Sequence, residues 1–284
     1  MKTVTHLKKV DIQALWGKYH IEWHLNSDVN ILAGINGSGK STVLNLITGI
    51  LQGGDWVINV DDWVGEVKIT FNDNQTIHFA ENIPDIIGVS RISTFDQPIN
   101  TEPLTRKQSA PVKTDLDYQL FELQRSYLSY QINLGKRVEQ AFLESDHIDT
   151  KTKREEIYGK KELFLRTINQ LFEKTGKIIA SDKNNEIVFR QEGEILTPYQ
   201  LSSGEKQVLI ILLSVLIQDN EPYILIMDEP EISLHIDWQE TLIKLIRSLN
   251  NHVQVILATH SPGLVMKGWT DKVTEMEDIT VYTL

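Results

Sequence analysis

Residues 34 to 41 read Gly-Ile-Asn-Gly-Ser-Gly-Lys-Ser, a Gly-x4-Gly-Lys-Ser loop. An apolar, strand-like run, Val29–Ala33, leads into it, and Thr42–Ile50 follows with Val43, Leu44, Ile47 and Ile50 at helical spacing. Strand, glycine loop and helix in that order confine this part of the chain to an α/β architecture, with a buried strand feeding a helix N-terminus. The glycines let consecutive backbone N–H groups turn toward phosphate oxygens. Lys40 adds a point charge for the β- and γ-phosphates, Ser41 a hydroxyl for Mg2+, and the helix its positive end. Asn36, Gly37, Ser38, Gly39, Lys40, Ser41 and Thr42 are therefore expected to hold ATP.

A second apolar run, Tyr223–Met227, has strand length and no polar alternation, as a strand buried on both faces requires. It ends in Asp228 and Glu229. The first carboxylate is placed to hold the metal, and the second to orient and polarise an attacking water. A third such run, Val253–Ala258, ends in Thr259-His260-Ser261-Pro262. Gln97 follows the strand-like Val89–Phe95. Trp16 and Tyr19 are both candidates for stacking on adenine.

The rest of the chain organises around these points. Leu7–Ile12 and Tyr19–Leu25 read as short strands, and Val64–Phe71 and Thr76–Ala80 as a hairpin about Asn72–Gln75. Pro98–Pro111, with three prolines, reads as a loop. Leu116, Leu120, Leu123, Tyr127, Tyr130, Leu134, Val138 and Ala141 form one face of a long amphipathic helix. A second helix is expected over Arg154–Lys174, with Phe164, Ile168 and Leu171 inward. The pair reads either as packed structural helices or as a lid or docking arm. Lys177–Ala180 and Glu186–Arg190 suggest a further hairpin, Ser203–Gln218 and Ile236–Leu249 helices, and Asp271–Met276 a last strand. Three parts follow: 1–97, an N-terminal lobe with the phosphate loop; 98–195, a mostly helical insertion; and 196–284, a C-terminal lobe.

Composition narrows the function classes. A formal net charge of −11 opposes non-specific binding along a polyanion, although the run Lys151–Lys161 is locally basic. With no cysteine, disulfides and thiolate metal sites are excluded. No apolar run reaches the ~20 residues of a membrane span, and the N-terminus lacks a signal-peptide pattern, so a cytoplasmic protein with no integral membrane segment is expected.

Leu201-Ser-Ser-Gly-Glu-Lys-Gln207 resembles the LSGGQ-like signature of ABC ATPases, and the order of phosphate loop, signature, acidic strand end and histidine matches that superfamily. The resemblance implies a P-loop NTPase with the ABC-type nucleotide-binding fold, antiparallel hairpins near its N-terminus and an inserted helical subdomain. It implies that Ser202, Ser203 and Gly204 contact a γ-phosphate through a helix N-terminus, that Asp228, Ser41 and Gln97 hold Mg2+, that Glu229 is catalytic, and that His260 senses the γ-phosphate. Position 203 is Ser where transporters usually have Gly, 205 is Glu where they often have Gln, and the loop Glu231–His235 ends in Leu-His rather than Leu-Asp. These departures resemble the soluble AAA-labelled bacterial ATPases related to the SMC, RecF and OLD families, which act in DNA repair and anti-phage defence.

In that superfamily one subunit's signature faces the other's phosphate loop. The resemblance thus implies a homodimer with two composite ATP sites, closing on ATP and opening on hydrolysis. Only 24 residues follow His260, too few for the nuclease domain that OLD proteins carry, so a protein effector, nuclease or toxin, is the expected partner, with DNA possible. A transporter nucleotide-binding subunit and a non-hydrolysing ATP-bound scaffold are the alternatives. The roughly hundred-residue gap between Gln97 and Leu201 speaks against the first, and Glu229 against the second.

Overall fold

A computed structural model describes residues 4–52, 63–78, 87–92, 112–144 and 150–282. The first stretch forms β1 (Leu7–Leu15), β2 (Tyr19–His24), β3 (Val29–Ala33), α1 (Lys40–Gln52), β4 (Glu66–Phe71), β5 (Thr76–His78) and β6 (Gly88–Ile92). The middle forms α2 (Asp115–Glu144), α3 (Thr150–Leu171), β7 (Ile178–Ser181), β8 (Ile187–Gln191), β9 (Glu194–Leu196) and α4 (Ser203–Leu216). The last stretch forms β10 (Tyr223–Asp228), α5 (Ile236–Leu249), β11 (Val253–Ala258), α6 (Pro262–Val265), β12 (Val273–Glu275), α7 (Met276–Ile279) and β13 (Thr280–Tyr282). The chain divides into two compact units: residues 1–94, 220–247 and 251–284, and residues 95–219 with 248–250.

The first unit has two five-stranded sheets. One, in the order β13-β2-β1-β4-β5, is antiparallel throughout its pairings. The other, β12-β3-β11-β10-β6, is wholly parallel. Every residue of β11 is buried, as are all of β3 and β10 except their last residues, which explains their continuous apolar sequences. One core cluster joins Val10, Ile12 and Trp23 of the antiparallel sheet, Val43, Leu44, Ile47 and Ile50 of α1, and Leu32, Ile224, Ile226 and Ile256 of the parallel sheet. Burying each such side chain contributes roughly 1.5–3 kcal/mol. The apolar stripe of α1 is thus what fixes the helix, and the loop before it, to the strands.

The second unit packs α2 against α3 and α4. Leu116, Leu120, Tyr127, Tyr130 and Leu134 are buried as their spacing requires, but Leu123 is only half-buried. Gln124 takes the interior position beside it, its amide bonding the Ile187 N–H at 2.8 Å and the Ile187 carbonyl at 3.3 Å across to β8. On α3, Phe164 and Ile168 face inward as expected, while Leu171 is only half-buried and Phe172, just past the helix, is buried in its stead. The helix runs Thr150–Leu171 rather than 154–174 because a short 3-10 turn, Glu173–Thr175, ends it at Gly176, which sits at φ +67°. The basic run at 151–161 lies on α3; its first part is exposed, with Lys153 paired to Glu156 at 2.8 Å and Arg154 to Glu162 at 2.9 Å, whereas Lys161 is half-buried, bonding Gln131 at 2.9 Å over the Tyr127 ring.

Candidate functional site

The parallel register decides where the chemistry gathers. Asp228 stands beside Ala258, and Ala258 beside Leu32, so β10, β11 and β3 end together. The glycine loop, Asp228-Glu229 and Thr259-His260 therefore leave the same edge of one sheet. Gln97 lies outside the described residues.

The loop is bent by glycines at φ values that other residues avoid. Gly39 sits at φ +102°, and a Cβ there would come 2.8 Å from Cη2 of Trp16. The indole thus rests on the loop. A register shift in β1 between Ile12 and Leu15, with Ala14 and Trp16 both at positive φ, turns that ring toward Gly39. Tyr19 stands edge-on to Trp16 at 6.0 Å. Lys40 is buried, and its Nζ donates to the carbonyls of Gly34 at 3.0 Å and Ile35 at 3.1 Å, so the ammonium is held over the loop's own backbone. Ser38 Oγ is buried with no hydrogen-bond partner among the described residues. An orphaned hydroxyl in a glycine-lined cradle fits an oxygen-rich ligand. The hydroxyl of Ser41 and the carboxylate of Asp228 are hard oxygen donors, the set that Mg2+ takes.

Glu229 follows the strand in a left-handed conformation, φ +47°, anchored by its N–H to the Ala258 carbonyl at 2.8 Å. Such a backbone costs a non-glycine residue about 1–2 kcal/mol and is tolerated where surrounding structure enforces it. Its carboxylate Oε1 lies 3.7 Å from Nε2 of His260, both side chains about one third exposed. An acid and an imidazole that meet beside a phosphate loop can orient water and donate to a phosphate oxygen. Two neighbours were not evident from sequence. Arg91 on β6 stands opposite Ile226 of β10; burial lowers its pKa, and the charge of Asp228 opposes that shift. Glu231 accepts hydrogen bonds from Thr259, His260 and Ser261.

In the second unit, Ser202 caps α4 and Glu205 closes a capping box with it, so Ser203 and Gly204 form the first turn of the helix, Ser203 exposed and Gly204 buried. The Glu205 carboxylate also accepts from Thr175 and from Lys177, each at 2.9 Å. The charge at position 205 is met by Lys177, which a neutral Gln would attract more weakly. Burial works against ionisation of Glu205, but the bonds from Lys177, the Ser202 amide, Thr175 and the Ser202 hydroxyl outweigh it and hold its pKa below the ordinary 4.5. A depressed folded-state pKa stabilises the fold fully above the unfolded value and loses that stabilisation as pH falls through the folded one. Glu205→Gln is expected to lower stability at pH 7 and to flatten its decline below pH 4.5, measured by urea unfolding across pH.

The family model described as "AAA domain, putative AbiEii toxin, Type IV TA system" matches residues 115–266, more than half of the chain. The Septu protein PtuA of Bacillus thuringiensis is 24% identical over 97% of this chain and 78% of its own length. The ribose import ATP-binding protein RbsA of Lactococcus lactis is 29% identical over 91% of this chain, which spans only 39% of it. Among solved structures, an Smc head bound to the C-winged helix domain of ScpA aligns with a TM-score of 0.56 at 14% identity, covering 98% of this chain and 97% of that one. The head shares the fold. Among the described residues, no helix is long and apolar enough to cross a membrane.

Proposed function

The chain belongs to the AAA-domain family of that description and is a P-loop ATPase of the ABC and SMC type, and from this premise we propose that it is an ATP-gated switch that pairs with a second copy of itself. The observation that carries the reading is the Glu229–His260 pair, 3.7 Å apart, at the sheet edge from which the Lys40 loop also leaves. In it, Asn36–Thr42 wrap the phosphates, with Lys40 on the β- and γ-phosphates. Ser41, Asp228 and Gln97 would hold Mg2+, which would supply positive charge to the phosphate oxygens. Glu229 orients the attacking water and takes its proton, and His260 donates to the γ-phosphate. Trp16 or Tyr19 stacks on adenine, and the contact of Trp16 with Gly39 supports the first.

Ser202, Ser203 and Gly204 of a second copy close the site, and loss of the γ-phosphate releases them. The three-part division at 97/98 and 195/196 belongs to the same proposal, with the helical part moving with nucleotide state. Likeness to a Septu protein over most of both chains supports a role in anti-phage defence, in the cytoplasm, with a nuclease or toxin as effector and DNA as the lesser possibility. The ribose import relative favours a second reading, a transporter subunit. A membrane subunit that co-purifies with the chain would favour the second reading, and a soluble effector the first.

Lys40 tests the loop. Its charge-assisted hydrogen bonds are worth about 1.5–3 kcal/mol, so Lys40→Ala is expected to weaken ATP binding about 10- to 150-fold in a fluorescent-nucleotide titration. Unchanged affinity would remove the loop from the site.

A further inference from the structure

We infer that Glu231 is a positioning residue of the hydrolytic site, acting on His260 through the main chain; the inference rests on the reading of His260 given above. One oxygen, Oε1, accepts from Thr259 Oγ1 at 2.6 Å, His260 N at 3.0 Å and Ser261 N at 3.2 Å. Three donors converging on one carboxylate oxygen make a strong and directional clamp. Thr259 Oγ1 accepts in turn from Ser261 N at 2.8 Å. Ser261 Oγ donates to Gln239 Oε1 at 2.6 Å and accepts from Gly263 N at 3.1 Å, capping α6. Gln239 Nε2 returns to the Leu234 carbonyl at 2.9 Å and the Glu231 carbonyl at 3.4 Å. The circuit ties the turn after β10 to the turn after β11, so the backbone that carries Glu229 and the backbone that carries His260 are set by one carboxylate.

The imidazole itself depends on that circuit. Its contact with Glu229 is long, 3.7 Å, and the ring is a third exposed, so its direction is set by the backbone beneath it rather than by packing around it. Glu231 touches neither the phosphate loop residues nor Asp228 by any described hydrogen bond, which separates its role from theirs. Loosening the turn displaces the ring relative to Glu229, and a displacement of 1 Å at a reacting centre costs about 100-fold in rate.

The test compares Glu231→Ala, Glu231→Gln and His260→Ala in the full chain, by kcat and KM for ATP, melting temperature, and the imidazole carbon and nitrogen NMR shifts of His260. Glu231→Ala is expected to lower kcat about 10- to 100-fold at unchanged KM and to move the His260 signals. Glu231→Gln keeps an acceptor oxygen in place and is expected to stay within about 3-fold of the parent, with the His260 signals unmoved. A parental kcat in Glu231→Ala, unmoved His260 signals, or Gln failing as badly as Ala with a matching loss of melting temperature would overturn the inference. If His260→Ala hydrolyses ATP at the parental rate, the reading of His260 falls and takes the inference with it. If His260→Ala is impaired and Glu231→Ala is not, only the inference falls.

Discussion

Glu229→Gln is expected to bind ATP with parental affinity and to release phosphate about 100- to 10,000-fold more slowly. The substitution keeps the size of the side chain, and the backbone bond from its N–H to the Ala258 carbonyl at 2.8 Å does not involve the carboxylate. The left-handed conformation at φ +47° is unaffected by an amide in place of an acid. What changes is basicity: an amide does not take a proton from water, and its attraction for the His260 imidazole, 3.7 Å away, is weaker. Nucleotide binding rests on the glycine loop and Lys40, which the substitution leaves untouched. A single-turnover phosphate-release assay beside an equilibrium binding titration checks both halves. Parental turnover would move the catalytic base away from Glu229.

The second large effect concerns the fold around the signature. Lys206, on the first turns of α4, pairs with Asp117 on α2 at 2.7 Å, with the two side chains only 9% and 4% exposed. Asp117 also accepts from the Lys113 N–H at 3.0 Å, so it is built into the start of α2. Removing one member of a buried ion pair strands the other charge, which costs about 3–5 kcal/mol, whereas replacing both with apolar groups of similar volume is close to neutral. Lys206→Met is expected to lose stability in that range, and Lys206→Met with Asp117→Leu to recover most of it, read from urea midpoints at constant slope. If the single substitution loses less than about 1 kcal/mol, the pair is not what fastens the signature helix to α2.

Much of this arrangement was legible in the residues. The three apolar runs became β3, β10 and β11 because strands buried on both faces allow no polar alternation, and the acids and histidine that end them had nowhere to go but one sheet edge. Helices α2 and α5 were readable because their stripes repeat over several turns. Strands β9 and β13 were not: β9 exists through its pairing with β8, and β13 through its pairing with β2, some 260 positions away in the chain, so the strand expected over Asp271–Met276, seen as β12, is not the last. Gln124 hid because a polar residue inside a helical stripe reads as a defect until its partner on β8 is known. Glu231 hid for a similar reason: a lone acid in a turn looks solvated, and only the fold brings Thr259, His260 and Ser261 onto its oxygen. The charge at Glu205 was visible as a departure from the transporter pattern, but Lys177 and Thr175, which account for it, lie about 30 residues away.

The central proposal is that ATP, sealed between Lys40 of one copy and Ser202–Gly204 of another, holds two chains together until it is hydrolysed. The most direct measurement is the solution mass of the Glu229→Gln protein by light scattering, in ATP with Mg2+ and in ADP with Mg2+. Twice the protomer mass in ATP, a single protomer in ADP, and loss of the ATP-dependent dimer when Ser203→Arg is added to the same chain are predicted. A protomer mass in ATP at nucleotide saturation, or a dimer indifferent to the nucleotide and to Ser203→Arg, would contradict it.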